Sequence, residues 1–421
     1  MGVRPGYKQT EVGVIPEDWE VSFLYSLCTV IDGDRGANYP NKKDFSSDGY
    51  CLFLNAGNVT KTGFVFEDCA FIDQEKDTKL RKGKLQRGDI VLTTRGTIGN
   101  FAYYNAKIPF DSVRINSGMV ILRNDTEALD TDFLYASFQS HLVENQIQRI
   151  TFGSAQPQLT VKGISKFIIV IPKLTEQRAI AAALADVDAL IESLDKLIAK
   201  KWDIKQAAMQ KLLSGKTRLP GFRDEWDFIT LGSGLSQAPS YGINAPAVMF
   251  SDRLPAYIRI TDITEDGRFN PETPVSVDAR NAESYYLEDG DIVFARTGAS
   301  VGKSYQYRTK DGKLVYAGFL IRIHPDEKLL HAPYVAEFVK TATYWRWVNL
   351  MSMRSGQPGI NGTEYAQMPI PKPSINEQTA IAEVLSDMDA EIAALEKRRS
   401  KIRLLKQGMM QELLTGKTRL V

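Results

Sequence analysis

The sequence predicts an α+β protein made by internal duplication. Two tandem α+β modules are separated by two long helices that pair as an antiparallel coiled coil, in a pseudo-twofold arrangement. Three observations predict it. The stretch TEQRAIAAALADVDALI (Thr175 to Ile191) returns as NEQTAIAEVLSDMDAEI (Asn376 to Ile392), and MQKLLSGKTRL (Met209 to Leu219) returns as MQELLTGKTRL (Met410 to Leu420), both at an offset of 201 residues. That period is domain-sized, far beyond the roughly 20–50 residues of solenoid repeats. Apolar residues fall in steps of four and three along each repeated stretch, and glycine-punctuated, β-like runs precede each one.

In the first module, FLNAGNVTKTGFVF (Phe53 to Phe66), RGDIVLTTRGTIGNFAYY (Arg87 to Tyr104) and SGMVILR (Ser117 to Arg123) read as strands and turns. The same order returns in YIRITDITEDGRF (Tyr257 to Phe269), DGDIVFARTGASVGKSYQY (Asp289 to Tyr307) and AGFLIRI (Ala317 to Ile323). Short helices are expected over Asp132 to Gln148 and Pro333 to Leu350. The first long helix carries Ile180, Leu184, Val187, Ile191, Leu194 and Ile198 as a heptad seam. The second carries Ile381, Leu385, Met388, Ile392 and Leu395, then Ile402, Leu405 and Met409; Arg399 interrupts it, as Lys201 and Lys205 weaken the first. Thr175 and Asn376 are expected N-caps, and Gly215 and Gly416 expected left-handed stops. About 38 residues at 1.5 Å each give a rod of roughly 57 Å. The Pro/Gly-rich LPGFRDEW (Leu219 to Trp226) joins the second module and echoes IPEDWEV (Ile15 to Val21). The expected division is 1–149, 150–219, 220–350 and 351–421.

An apolar fraction of 43% and a charged fraction of 24% suit a globular protein with real cores. No stretch approaches the roughly 18 apolar residues of a membrane span, and the N-terminus has no apolar signal-peptide core. Cys28, Cys51 and Cys69 are scattered and form neither a metal knuckle nor a disulfide framework. A cytoplasmic protein is expected. The net charge of +1 names no partner, so nucleic-acid contact would need locally concentrated basic residues. GKT occurs twice, but it follows a helix, where carbonyls would face a phosphate, and Gln210 and Gln411 stand where a phosphate loop needs glycine. His141, His324 and His331 lack metal-ligand spacing. There is no nucleophile elbow, no dinucleotide fingerprint and no Asn-Pro-Pro-aromatic tetrapeptide of amino-methyltransferases; the nearest fragment is Asn270-Pro271-Glu272-Thr273. The sequence assigns this chain no catalytic, cofactor-binding or metal-binding residue.

Two related modules on two rods suit a nucleic acid with two half-sites, because successive major grooves lie about 34–36 Å apart. The globular halves diverge more than the helical halves, so two readers would read different bases and the target would be asymmetric. Drift in surface loops is the plainer explanation. The candidate DNA-contacting residues are Thr94, Arg95, Thr97 and Asn100 in one loop and Arg296, Thr297, Ser300 and Lys303 in its counterpart. A second pair of segments adds Ser154 and Gln156, and Arg354, Ser355 and Gln357. Glycines allow close backbone approach, arginine contacts guanine or phosphate, hydroxyls contact phosphate, and glutamine reads adenine. As plain structure, the first pair are β-turns and the second are joints between module and helix. Lys397, Arg398, Arg399, Lys401, Arg403 and Lys406 form a basic run, matched by Lys196, Lys200, Lys201 and Lys205. Such a run is either a solvated helix face or a dock for partner proteins or phosphate.

The chain resembles the specificity (S) subunit of type I restriction-modification systems. The likeness covers nearly the whole chain and rests on the opening KQTEVGVIPEDWEV, the repeated EQ-x-A-I-A helix starts, the repeated LL-[ST]-GKTRL helix ends and the two GDIV segments, all in duplicated order. The resemblance implies two target recognition domains, each reading one half of a bipartite double-stranded DNA sequence. It implies an antiparallel coiled coil that acts as a ruler for the gap between the halves. It implies a non-catalytic role beside two modification subunits, which methylate adenine with S-adenosylmethionine, and restriction subunits, which add ATP-driven translocation and magnesium-dependent cleavage. Two other readings compete: a methyltransferase or nuclease fused to its own recognition domains, and a coiled-coil scaffold with no DNA role.

Overall fold

A computed structural model describes residues 4–151, 158–353 and 358–420. By its packing the chain divides into two units, Met1–Leu194 with Arg398–Val421, and Asp195–Lys397. The division falls inside both long helices, so each unit holds the start of one helix and the end of the other.

In the first unit the GDIV strand, Ile90–Thr93, is buried at every position. It lies between Phe101–Tyr103 and Met119–Asn124, with Cys28–Asp32 beyond the latter, in an antiparallel four-stranded sheet. Beside this sheet, Val113–Ile115 runs parallel to Cys51–Leu54, whose other neighbour is Phe71–Ile72. Glu20–Phe23 pairs with Ile168–Ile171, which leads into the first long helix. The second unit repeats this plan. Ile292–Ala295 lies between Ser304–Gln306 and Leu320–Pro325, with Leu235–Tyr241 beyond the latter. Ala256–Ile258 runs parallel to Leu314–Tyr316, and Asp227–Thr230 pairs with Pro369–Lys372.

The aspartate of each GDIV segment is a buried structural carboxylate. Asp89 accepts the Gln86 N–H at 2.6 Å and two bonds from Arg123 at 2.8 and 2.7 Å. Asp291 accepts the Glu288 N–H at 2.7 Å and meets His324 Nδ1 at 2.9 Å and Arg322 Nε at 3.2 Å. Burial pushes the Asp291 carboxyl above the usual carboxylate range, against the pull of those partners.

Each expected short helix is two helices, Thr131–Phe138 with His141–Thr151, and Ala332–Phe338 with Ala342–Ser352. In the second unit Thr341 makes the break, because its hydroxyl accepts the Tyr344 N–H and caps a new helix.

The long helices span Leu174–Leu212 and Ile375–Leu413, 39 residues each. With Thr175 and Asn376 as caps the helices would open at Glu176 and Glu377; they open two residues earlier, so Thr175 and Asn376 lie inside the first turn and are not caps. The first turn is fixed by long-range contacts instead. Gln177 accepts the Asp130 N–H at 2.8 Å and donates to the Ala128 and Pro172 carbonyls. Gln378 accepts the His331 N–H at 2.8 Å and donates to Leu329 and Pro373. Each helix is followed by its expected glycine, Gly215 or Gly416, both at φ +69°. A Cβ on Gly416 would lie 2.4 Å from Pro16, so that close approach excludes any larger residue.

The preceding glutamate is the centre of a clamp built once in each unit. In the first unit Glu176 receives Trp19 Nε1 at 3.0 Å and Arg419 at 2.6 and 2.8 Å, and Arg419 also holds Asp18. In the second unit Glu377 receives Trp226 Nε1 at 3.0 Å and Arg218 at 2.6 and 2.7 Å. The glutamate bonds raise the pKa of each arginine, and Arg419 in turn lowers that of Asp18. The EQ dipeptide and the arginine of GKTRL are therefore paired across repeats: each helix start is closed by the end of the other repeat.

Within each unit the long-helix segments run antiparallel. Lys406 meets Asp188 at 2.7 Å in the first unit; Lys205 meets Asp389 at 2.7 Å and Lys201 meets Glu391 at 2.6 Å in the second. Lys205 does not weaken the seam from its surface, because it is 3% exposed and also lies 3.4 Å from Glu337. Leu405, assigned to the second seam, is 57% exposed. Lys406 turns inward instead, since Asp188 satisfies its charge and Gln139 lies within 3.4 Å. Among the described residues no helix is long and apolar enough to cross a membrane. The three cysteines are free, and burial pushes the Cys28 thiol up to about 12.

Arg419→Ala strands the buried Glu176 carboxylate and should lower stability in denaturant unfolding by about 3 kcal/mol. Adding Glu176→Gln should recover part of that loss. A double variant no more stable than the single one would remove the clamp's charge pairing as the explanation.

Candidate nucleic-acid interface

At the end of the GDIV strand each unit builds a related turn between two glycines at positive φ, one residue longer in the second unit, where Gly298–Ser300 forms a 3-10 turn. In the first unit Gly96 and Gly99 take φ +72° and +86°, and in the second Gly298 and Gly302 take +73° and +89°. Gly99 N–H bonds back to Thr93 O at 3.0 Å, and Gly302 N–H to Ala295 O at 2.9 Å. Two further segments join each turn. Thr94 N–H reaches Gly118 O at 2.8 Å and Thr94 O accepts Leu159 N–H at 3.0 Å. Arg296 N–H reaches Phe319 O at 3.1 Å and Arg296 O accepts Ile360 N–H at 2.9 Å. Thr94 and Arg296 are thus equivalent positions, and the segments containing Leu159 and Ile360 are brought against the turns.

This equivalence shifts the arginines. Arg95 stands one position later in its turn than Arg296 does, opposite Thr297. Arg95 and Thr97 are exposed; Arg296, Thr297 and Ser300 are half-buried. Thr94 is buried and its hydroxyl donates to Gly118 O at 2.9 Å. Asn100 donates its side-chain amide to Val59 O at 2.9 Å, and Lys303 pairs with Glu265 at 2.5 Å. These three side chains are engaged within their own modules. Ser154, Gln156, Arg354, Ser355 and Gln357 lie outside the described residues.

The turns rest on rigid support. Tyr344, wholly buried, donates its hydroxyl to Gly302 O at 2.7 Å; burial pushes that hydroxyl well above the usual tyrosine range. Val348 packs under Gly302, as Ile147 does under Gly99. Three neighbours were not legible as site residues in the sequence. Arg35 reaches Ser117 O and Asp32, both at 3.2 Å. Phe319 sits 59% exposed beside Arg296, and Tyr241 lies under the Arg296 guanidinium. An aromatic within a glycine turn was the available signal for Phe319; Tyr241 had none, because it ends a strand 55 positions from Arg296.

Chemically, these faces offer guanidinium groups, hydroxyls and open backbone, a set suited to anionic or base-edge contacts. Among the described residues no group of three or more His, Cys, Asp or Glu could hold a metal ion. A cavity of about 730 Å³ in the second unit is lined by Trp202, Lys205, Arg268 and Asp389. Its charges pair with one another, Lys205 with Asp389 and Arg268 with Asp266 and Glu396.

Residues 16–200 and 256–404 match the family described as type I restriction modification DNA specificity domain. The MjaVIII specificity subunit of Methanocaldococcus jannaschii is 30% identical over 218 residues, which span 51% of this chain and 49% of that protein. The putative MjaX specificity subunit of the same organism is 24% identical over 98% of this chain and 96% of its own length. The EcoKI specificity subunit of Escherichia coli is 23% identical over 92% of this chain and 85% of its own length. A solved S subunit of the type I system of M. genitalium matches at a TM-score of 0.57 and 15% identity, covering 98% of both chains. A chain from a study of type I complex assembly and conformational transition matches at 0.58 and 18%, covering 96% of this chain and 99% of that one. These structures share the fold.

Gly298→Ala meets open space at positive φ and should cost about 1–2 kcal/mol. Gly302→Ala would also place its Cβ 2.7 Å from Val348, adding about 1–3 kcal/mol of overpacking. Denaturant unfolding of the two variants checks the ranking, and equal losses would show that Val348 yields freely.

Proposed function

This chain belongs to the type I restriction modification DNA specificity family, and from that premise we propose that it is the non-catalytic subunit that reads a bipartite, asymmetric double-stranded DNA target. Each module reads one half of the target. The observation that carries this reading is the duplicated turn: it follows the same strand in both units, is closed by equivalent glycine bonds, and differs in length by one residue and in the side chains it presents. Arg95 and Thr97 in one unit stand against Arg296, Thr297 and Ser300 in the other. Related scaffolds with different donors suit two different half-sites. The two long helices, as a coiled coil, set the gap between them.

On this proposal two modification subunits methylate adenine with S-adenosylmethionine, and restriction subunits bring ATP-driven translocation and magnesium-dependent cleavage. The helices supply the docking faces. The absence of a nucleophile-base constellation from the sequence supports that division of labour. The relatives named above as specificity subunits support it as well.

The direct test is to express the chain with the modification subunit encoded beside it and to sequence host DNA for N6-methyladenine. A new two-part motif with a fixed gap is expected; none, with the partner shown to be bound, would refute the reading. Replacing residues 220–350 with another such module should change one half-site alone. Inserting residues into either long helix should alter the gap or abolish recognition while the half-site bases stay the same; changed bases at an unchanged gap would sink the ruler.

A further inference from the structure

Of the two turn arginines, Arg296 is held by an aromatic ring. Its guanidinium carbon lies 4.9 Å from the centre of the Tyr241 ring, within range of a cation–π attraction. The ring is fixed at both ends. Tyr241 closes strand Leu235–Tyr241, paired there with Ile321, and its hydroxyl accepts the Gly362 N–H at 3.0 Å. Gly362 opens a short helix whose Asn361 cap is closed by Glu364. The Arg296 backbone is bonded on both sides, to Phe319 and to Ile360. Among the described residues no carboxylate pairs with this guanidinium, and its contact is the ring. Arg95, exposed and one position later in its turn, has no such ring contact among the described residues.

A stacked guanidinium differs physically from a mobile one. Its planar fork keeps its orientation, so little rotamer freedom is lost when two parallel hydrogen bonds form. Guanine O6 and N7 require that fork held in the base plane; a phosphate also accepts two bonds from it, but takes a compact, swinging cation as well. Resting on the reading that this module binds one half of a DNA target, we propose that Arg296 reads a guanine in the half-site of the C-terminal module, with Tyr241 as its positioning residue.

The test uses the full chain with its modification subunit and reads the motif by N6-methyladenine sequencing. Wild type should give a two-part motif with a guanine in the half-site that a swap of residues 220–350 changes. Arg296→Lys keeps the charge but not the fork, and should lower discrimination at that one position by roughly 10–100-fold, with the other half-site and the gap unchanged. Tyr241→Leu should relax the same position, and Tyr241→Phe, which keeps the ring but loses its bond to Gly362, should relax it less. An unaltered motif with uniformly weaker methylation in Arg296→Lys would overturn the base contact in favour of phosphate. Equal behaviour of Tyr241→Leu and Tyr241→Phe would overturn the positioning role. Relaxation confined to the other half-site would overturn the assignment of Arg296 to its module. If wild type, with its partner bound, gives no two-part motif, the specificity reading itself fails, a result distinct from all of these.

Discussion

A buried glutamate at the start of each long helix is the constraint on which both units depend. Taking a carboxylate out of water is costly unless its oxygens are fully paired. Glu176 meets that demand with Arg419 and Trp19, and Glu377 meets it with Arg218 and Trp226. Each arginine also lies 5.4 Å from the face of its tryptophan. One ion pair thus fixes three things: where the helix starts, where the other helix's tail ends, and how the strand after the tryptophan enters its module. Because the partners come from different repeats, neither repeat closes its own helix start.

The same logic runs along the helix pair. Lysine at a seam position normally specifies register at a cost in stability. Lys205 and Lys406 occupy equivalent places 201 residues apart, and each finds an aspartate of the opposite helix, Asp389 or Asp188. A one-turn slip would separate either lysine from its aspartate, and for Lys205, which is 3% exposed, would leave a buried charge unpaired. Paired charge therefore favours one antiparallel register where a uniform apolar seam would leave it loose.

The turns after the GDIV strands are built on the opposite principle. Their backbones are held by glycines at positive φ and by bonds to two neighbouring segments, and in the second unit also by the Tyr344 hydroxyl. Their side chains are less constrained, and differ between units. Related turns held by backbone bonds can therefore carry different side chains in the two units. Part of this was legible: the turns, their glycines and the correspondence of the two segments before the long helices follow from the duplicated order, whereas the pairing of those segments with the turns came from the structure. What each side chain does was not. Thr94, Asn100 and Lys303 have the chemistry of DNA contacts, yet they bond to Gly118, Val59 and Glu265. Arg95 and Arg296 look equivalent until the hydrogen bonds of Thr94 reveal a one-residue shift.

The sequence by itself determined the duplication, the chain order of the β-like segments in both modules, the heptad helices and their glycine ends. All of these follow from local periodicity and backbone preference, which neighbouring residues settle among themselves. Only the tertiary structure decided that EQ and GKTRL are two halves of one clamp, since Arg419 lies 243 positions from Glu176. It alone chose Lys406 over Leu405 for the seam, because an inward lysine is tolerable only when a carboxylate waits across the interface. It alone set Tyr241 beneath Arg296. A repeat in sequence shows which residues are equivalent; which residues meet is decided by packing, where a partner's charge and distance settle whether a polar group can be buried.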